Sequence, residues 1–144
     1  MINFLMTALF LTLPIHWEPD FSNAKKIAAE KHELILLNFS GSDWCGPCIL
    51  MRKEYFENPE FEEFSKERLV LVNADFPRRK KNELPEAVVK QNEMLAEMYN
   101  KEGLFPLTLL LDDTGKVLKI WRGKPENTPD KWMQEIQTVC NSTK

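Results

Sequence analysis

Cysteine, histidine and glycine are scarce in this chain of 144 residues, which contains 3 cysteines, 2 histidines and 5 glycines. Three cysteines are too few for a fold held together by several disulfides. A zinc site would need His16, His32 or Cys140 beside the other two cysteines, and none of these is paired in spacing with another ligand. A glycine-rich phosphate loop and a zinc-protease helix motif are also missing. We therefore expect no metal site.

An excess of positive charge is missing as well. Lys and Arg number 19 against 22 Asp and Glu, and the net charge is -3. Such a chain has no overall cationic field to attract a phosphate backbone, so nucleic acid is not an expected partner. The composition, 43% hydrophobic and 28% charged, is typical of a soluble globular protein, and the length suits a single domain.

No hydrophobic run is long enough to span a bilayer. The stretch Phe4–Pro14 is apolar and nearly uncharged, and its length fits the apolar part of a signal peptide. No Lys or Arg precedes it and no clear small-x-small cleavage site follows, so an uncleaved anchor or a buried N-terminal strand is the alternative. We predict that residues 1–17 form a signal peptide or N-terminal anchor, with cleavage, if any, near residues 14–18, and that residues 18–144 form the domain.

Hydrophobic periodicity predicts helices and strands in alternation. The apolar runs predict strands over Leu34–Phe39, Leu69–Val72 and Leu107–Leu111, with Val117–Trp121 returning as a hairpin partner. Helices are expected after Asp20 or Ser22, from Cys45, after Asn58, from Pro85 and from Pro129. This order predicts an α/β fold in which helices cover both faces of a mixed sheet, with parallel pairs made through helical crossovers and an antiparallel final hairpin.

The chemistry of the chain is concentrated in the segment Trp44-Cys45-Gly46-Pro47-Cys48, where a predicted strand gives way to a helix. Unpaired N–H groups and the helix dipole at a helix N-terminus lower the pKa of a thiol, and the thiolate is the attacking species in disulfide exchange. The spacing places Cys48 about one turn beyond Cys45 on the same face, within reach of a mixed disulfide. Pro47 fixes one backbone dihedral, and Gly46 allows a close approach of substrate.

Two other interpretations of the cysteine pair remain, namely a purely structural disulfide and half of a zinc site. The position at the start of a helix favours redox chemistry over both. Cys140, near the C-terminus, is interpreted as a bystander. Trp44 is expected either to shield the sulfurs or to pack against the edge of the sheet.

The motif resembles the active site of the thioredoxin superfamily, and the segment Ser42–Cys45 is similar to its extracytoplasmic bacterial thioredoxin-like reductases. The resemblance covers about residues 20–140. It implies a thioredoxin fold, with Cys45 as the nucleophile and Cys48 as the resolving cysteine. It also implies protein disulfides as substrates, a thiol electron donor, no bound cofactor and a periplasmic or other extracytoplasmic location, with a cytoplasmic location as the alternative. We further expect a monomer.

A second mark of the superfamily is a cis-proline at the start of the third strand. The resemblance implies that Pro106 is cis and that the main chain of Phe105 pairs with an extended substrate segment. Thioredoxins also keep a buried acid before the motif and a lysine on the next strand, and the matching positions here are Asn38 and Leu71. Because neither side chain moves a proton, we expect an altered pH dependence rather than a loss of activity.

The Gly46-Pro47 pair resembles reducing thioredoxins, so the predicted activity is reduction of protein disulfides, with a reduction potential nearer about -270 mV than about -120 mV. The alternatives are a disulfide isomerase and a chaperone-like peptide-binding module whose disulfide is not catalytic. Residues 76–87 resemble an insertion. Its cations Arg78–Lys81 are expected to form a solvated loop, with contact to an acidic partner as the alternative. Met94 and Met98 are expected in the core.

Overall fold

A computed structural model describes residues 14–143 of the chain. The helices are α1 (Phe21–Lys31), α2 (Gly46–Met51), α3 (Pro59–Arg68), α4 (Glu86–Tyr99) and α5 (Pro129–Ser142), and the strands are β1 (Leu34–Ser40), β2 (Leu69–Asp75), β3 (Leu107–Leu111) and β4 (Val117–Arg122). A π-helical segment, Arg52–Phe56, continues α2, and a single 3-10 turn spans Lys80–Asn82. Most of the predicted leader lies outside the described residues. Within residues 14–143, no helix has the length and apolar composition needed to cross a membrane.

The four strands form one mixed sheet in the order β2-β1-β3-β4. Strand β1 is parallel to β2 and antiparallel to β3, and β3 and β4 form an antiparallel pair. The predicted α/β fold with a mixed sheet is confirmed, but the expectation that helical crossovers make every pair before the hairpin parallel is wrong for β3. After β2 the chain passes through α4 and comes back to the same end of the sheet, the end at which β1 and β2 finish. Strand β3 therefore starts there and runs opposite to β1.

Three helices begin at the side chains that the sequence predicted. The carboxylate of Asp20 accepts a hydrogen bond from the main-chain N–H of Asn23 at 2.8 Å. Asn58 caps α3 and Thr128 caps α5, each followed by a proline in the first turn. A proline fits there because the first N–H groups of a helix have no partner within the helix.

The sheet is covered by helices on both faces, as predicted. On one face, alternate residues of β1 such as Ile35 and Leu37 pack against α1 and α4. On the other, Leu36 packs among residues of α3, α5 and the π-helical segment, including Phe61 and Trp132. All seven residues of β1 are buried, because β1 lies between two strands and two helical layers.

Helix α4 buries a narrower face than its sequence predicts. Met94 and Met98 were expected in the core, but they are 59% and 60% exposed. The buried residues of α4 are Asn92 and Leu95. Met94 is one position, or about 100° around the helix, from the buried face. The prediction for the two methionines was therefore wrong.

The residues just before α1 lie along β2. Trp17 forms an isolated parallel bridge with Leu71, whose carbonyl accepts a hydrogen bond from the Glu18 N–H at 2.7 Å. The Trp17 ring meets Phe56 edge-on at a centroid distance of 5.1 Å, and Ile15 packs against the same apolar layer. The last residues of the predicted leader thus contact the folded domain.

Candidate active site

Cys45 and Cys48 lie where β1 passes into α2, as the sequence predicted. Cys45 is the N-cap of α2, and its Sγ accepts a hydrogen bond from the Cys48 N–H at 3.3 Å. The two cysteines form a disulfide, with their Cα atoms 5.2 Å apart. In the reduced protein, the same N–H group and the helix dipole favour the thiolate of Cys45.

The disulfide lies close to the surface, but only a small fraction of the two cysteines is exposed to solvent. Cys45 and Cys48 each expose 4% of their area, whereas Gly46 and Pro47 between them are exposed. Pro47 stands in the first turn of α2, where its missing N–H leaves no donor unsatisfied. A molecule that reacts with these sulfurs must therefore also contact the residues around them, so those residues belong to the site.

Gly41 closes the loop between β1 and α2. Its carbonyl accepts hydrogen bonds from the N–H groups of Trp44 and Cys45, at 3.2 and 2.9 Å. A Cβ atom on Gly41 would lie 2.3 Å from Cε2 of Trp44, so the indole ring occupies the space that a larger residue would fill. Sequence analysis did not identify Gly41, because the contact depends on the packing of the Trp44 side chain.

Trp44 packs among residues that come from two other parts of the chain. Its indole N–H donates a hydrogen bond to the carbonyl of Phe76 at 2.7 Å, and its ring meets Phe105 edge-on at 5.4 Å. Phe76 and Phe105 also meet edge-on, at 5.5 Å. The guanidinium of Arg78 lies 3.8 Å from the centroid of the Trp44 ring, a cation–π contact. The sequence offered two roles for Trp44, and the observed contacts place its ring against the 76–79 loop and Phe105.

Asp43 holds this loop against the cysteine motif. Its carboxylate accepts hydrogen bonds from the main-chain N–H groups of Arg78 and Arg79, both at 2.9 Å, and from the side-chain amide of Asn82 at 3.0 Å. These bonds, the one from the Arg78 N–H foremost, lower the pKa of Asp43 to about 2. The carboxylate is therefore ionised throughout the neutral range. The sequence predicted an exposed loop here, and it contained no signal for this anchor.

The Phe105–Pro106 peptide bond is cis, as the resemblance implied. It immediately precedes β3, which pairs with β1 so that Leu107 lies opposite Phe39. Pro106 therefore lies at the end of the sheet where β1 leads into the cysteine motif. Within residues 14–143, the main-chain N–H and C=O groups of Phe105 form no hydrogen bond.

A polar network of neutral side chains lies next to this site, inside the sheet. Asn38 accepts a hydrogen bond from the Thr108 hydroxyl at 3.0 Å and donates one to Asn73 at 2.9 Å. Both Asn38 and Thr108 are buried. Leu71, the second departure from the thioredoxin pattern, is buried in the apolar layer, and the register places Asn73 rather than Leu71 beside Asn38.

A cavity of about 500 Å³ reaches Cys48 and Asn38 from the protein surface. Asp75, which also lines it, accepts hydrogen bonds from the Ser42 hydroxyl at 2.5 Å and the Ser42 N–H at 2.9 Å. The volume is enough for several water molecules, since each takes about 30 Å³ in the liquid. Solvent thus has a route to the Cys48 side of the disulfide.

The described part of the chain contains no group of three or more His, Cys, Asp or Glu side chains placed to hold a metal ion. Cys140 is buried in the apolar layer beneath α5, beside Ile136 and Trp132. The structure thus brings Trp44, Cys45 and Cys48 together with the Phe105–Pro106 segment, and it leaves Cys140 in the core.

Comparison with known proteins gives matches over most of the chain. The thioredoxin-like domain family matches residues 21–137. The disulfide bond reductase DsbH of Chlamydia pneumoniae is 34% identical over 116 residues, which cover 81% of this chain and 68% of that protein. The thioredoxin-related protein DsbJ of the same organism is 30% identical over 106 residues, covering 74% of this chain but only 30% of DsbJ.

Among solved structures, a DsbH oxidoreductase matches with a TM-score of 0.82 at 28% sequence identity, over 98% of this chain and 94% of that one. A thioredoxin from Thermus thermophilus matches with a TM-score of 0.66 at 16% identity, over 89% of this chain and 88% of that one, which is a likeness of fold. With the family matched over most of its length, and with a cysteine pair at the start of α2 and a cis-proline before β3, this chain belongs to the thioredoxin-like family of the thioredoxin superfamily.

Proposed function

We propose that this thioredoxin-family thiol-disulfide oxidoreductase reduces disulfides in protein substrates, with Cys45 as the nucleophile and Cys48 as the resolving cysteine. The observation that carries the proposal is the position of the Cys45 sulfur at the N-cap of α2, where the Cys48 N–H lies 3.3 Å away. A thiolate at this point is stabilised before any substrate arrives. Cys48 is close enough to form a disulfide with Cys45, since the Cα atoms of the oxidised pair are 5.2 Å apart.

The reaction consists of two thiol–disulfide exchanges. The Cys45 thiolate attacks one sulfur of the substrate disulfide, the substrate S–S bond breaks, and one substrate thiolate leaves. The Cys48 thiolate then attacks the Cys45 sulfur of the mixed disulfide and releases the second substrate thiolate. The substrate gains two electrons and the enzyme is left with the Cys45–Cys48 disulfide, which a thiol electron donor must reduce before the next turnover.

The proton of Cys48 has to leave before the second exchange. Thioredoxins have a buried acid at the position of Asn38, but the amide here is held by Thr108 and Asn73 and cannot serve as a base. Water in the cavity that reaches Cys48 is therefore the proposed acceptor. This assignment predicts that the rate of the second exchange rises with pH, because hydroxide and the Cys48 thiolate become more abundant. The pH profile should lack the additional plateau that titration of a carboxyl base would produce.

The direction of the reaction is proposed from the Gly46-Pro47 pair and from the relative DsbH, which is described as a disulfide bond reductase. A peptide segment containing the substrate cysteine would lie along Phe105 and Pro106, where the main chain of Phe105 offers a donor and an acceptor. We further propose that the protein acts as a monomer outside the cytoplasm, in the periplasm or a similar compartment. The apolar Phe4–Pro14 stretch supports this location.

Insulin reduction with dithiothreitol as electron donor tests the enzymatic proposal. The wild type should accelerate precipitation of the insulin B chain, and Cys45→Ser should abolish the acceleration. Cys48→Ser, reduced and then freed of dithiothreitol before substrate is added, should instead accumulate mixed disulfides with substrate, visible as adducts on non-reducing gels. Cys140→Ala is the matched control, because it removes the third thiol and leaves the pair intact.

A wild type no faster than Cys45→Ser would contradict the proposal and would favour a peptide-binding module. Reactivation of scrambled ribonuclease separates the isomerase alternative. A reductase should reactivate the scrambled protein slowly and reduce insulin quickly, whereas an isomerase should show the opposite preference.

A further inference from the structure

Four consecutive cationic residues, Arg78–Lys81, lie in the loop that contacts the active-site motif, and we call these four residues the cationic loop. All four residues are exposed. Within residues 14–143, none of their side chains forms an ion pair within 4 Å. The chain as a whole has a net charge of -3, so this loop is a positive patch on a molecule with negative net charge.

The cationic loop is fixed in place by groups other than its charges. Asp43 binds the main-chain N–H groups of Arg78 and Arg79, together with the side-chain amide of Asn82. The indole N–H of Trp44 binds the carbonyl of Phe76 at the start of the loop. The main chain is therefore anchored at several points, while the four residues remain exposed and the guanidinium of Arg78 lies over the Trp44 ring. An ordered backbone lowers the entropy cost of using the four side chains for recognition.

The cationic loop also lies beside the residues that surround the disulfide. Arg78 lies over the ring of Trp44, which directly precedes Cys45. The same ring touches Phe105, whose main chain is the proposed partner of the substrate. A peptide that presents a cysteine to Cys45 and runs along Phe105 would therefore place its neighbouring residues close to the cationic loop.

We propose that the cationic loop recognises carboxylate side chains next to the cysteine of a protein disulfide, so that disulfides in acidic segments are reduced preferentially. The inference rests on the proposed reductase function and adds a substrate class to it. Guanidinium groups bind carboxylates in a bidentate geometry, and the Arg78 guanidinium, which lies 3.8 Å from the Trp44 ring centroid, forms no ion pair with another described residue that would compete for such a bond. Without the loop, the negative net charge of the chain would disfavour acidic partners.

The test compares three otherwise identical disulfide-bonded peptides whose cysteine is flanked by two Glu, two Gln or two Lys residues. The readout is the ratio of kcat/KM for the Glu peptide to that for the Lys peptide. A change in the intrinsic reactivity of Cys45 alters both values and cancels in this ratio. For the wild type at low ionic strength we expect a ratio of about ten, built from two or three exposed ion pairs, and a fall toward one at high salt.

The decisive variant is Arg79→Glu with Lys80→Glu, which reverses two charges but keeps the main-chain N–H that binds Asp43. The ratio should fall below one. The matched control is Lys31→Glu with Lys66→Glu, which also reverses two exposed charges, just before β1 and β2 begin, at the opposite end of the sheet from the site. This control should keep a wild-type ratio.

Equal rates for the Glu and Lys peptides with the wild type would overturn the inference and leave the reductase function standing. A ratio that shifts as much in the control with Lys31→Glu and Lys66→Glu as in the loop variant would also overturn the inference, because net charge would then be the cause. Failure of the wild type to reduce even the Gln peptide would instead count against the reductase function itself.

Discussion

Replacement of Gly41 by alanine tests whether the packing of Trp44 shapes the site. The added Cβ would lie 2.3 Å from Cε2, 2.5 Å from Cζ2 and 2.7 Å from Nε1 of the Trp44 ring, all shorter than a van der Waals contact. The ring cannot stay where it is. Its displacement breaks the 2.7 Å hydrogen bond to the Phe76 carbonyl and disturbs the contacts with Phe105 and Arg78.

The expected loss of stability follows from these contacts. Overpacking of a closely packed site costs about 1–3 kcal/mol, and loss of the indole hydrogen bond costs about 1 kcal/mol. The backbone φ of Gly41 is not in the left-handed region, so alanine can adopt the native backbone conformation there. Alanine also lowers the conformational entropy of the unfolded chain, which stabilises the folded protein by about 0.5–1 kcal/mol. The net decrease in the free energy of unfolding is about 2 kcal/mol, which for a chain of this size lowers Tm by about 4–8 °C.

Thermal unfolding followed by circular dichroism measures the shift, and insulin reduction at 20 °C should show a severalfold lower kcat/KM. Gly46→Ala is the matched control, since a Cβ there meets no atom within 4 Å. This control should melt at or slightly above the wild-type temperature. A Gly41→Ala protein that melts within about 1 °C of the wild type, or a Gly46→Ala protein that is destabilised equally, would refute the reasoning.

Four further predictions concern charge and redox balance. Asp43→Asn replaces a carboxylate that accepts three hydrogen bonds with an amide that has a donor on one side, so the cationic loop should be held less firmly. Trypsin should then cleave the loop faster than in the wild type, and an unchanged cleavage rate would contradict the role of Asp43 in holding the loop. The folded pKa of Asp43, about 2, lies below its ordinary 3.8, so the stability it contributes is fully present above about pH 4 and is lost as the pH falls toward 2; acid titration of the wild type and Asp43→Asn should converge below that range. Asn38→Asp should accelerate the attack of Cys48 on the mixed disulfide between Cys45 and substrate at neutral pH or above, by about a hundredfold at most, and add the titration of the new carboxyl to the pH profile. Single-turnover reduction with Cys48 intact measures this rate, and an unchanged rate would exclude Cys48 deprotonation as the slow step. Equilibration with dithiothreitol or glutathione should give a reduction potential nearer about -270 mV than about -120 mV, and a value near the latter would reverse the proposed direction.

Much of the fold could be predicted because the local signals agree with the final packing. The apolar run at Leu34–Phe39 is continuous, and it forms a strand that is buried on both faces. Asn58 and Thr128 cap helices in the structure as their sequence context indicates. The cysteine pair lies at a helix start for the same reason, since an apolar strand, a short polar loop and a proline in the first turn leave little choice about where the helix begins.

The features that the sequence did not predict depend on contacts between distant segments. The orientation of β3 depends on where the chain returns after α4, and the exposure of Met94 depends on which side of α4 meets the sheet. The anchoring of the 76–79 loop by Asp43 joins residues 35 and 36 positions apart. A pattern of charges shows that a loop is polar, but it does not show which acid will bind the loop's main chain.

The short bridge at Trp17 has a consequence for the outer margin of the sheet. Among the strands of residues 14–143, β2 is an edge strand, and edge strands present unpaired main-chain groups that favour association with other chains. The hydrogen bond from the Glu18 N–H to the Leu71 carbonyl satisfies part of that edge. If a leader is removed in the cell, a cut ahead of Ile15 keeps this protection, whereas a cut after Glu18 would strip it and favour aggregation of the mature protein.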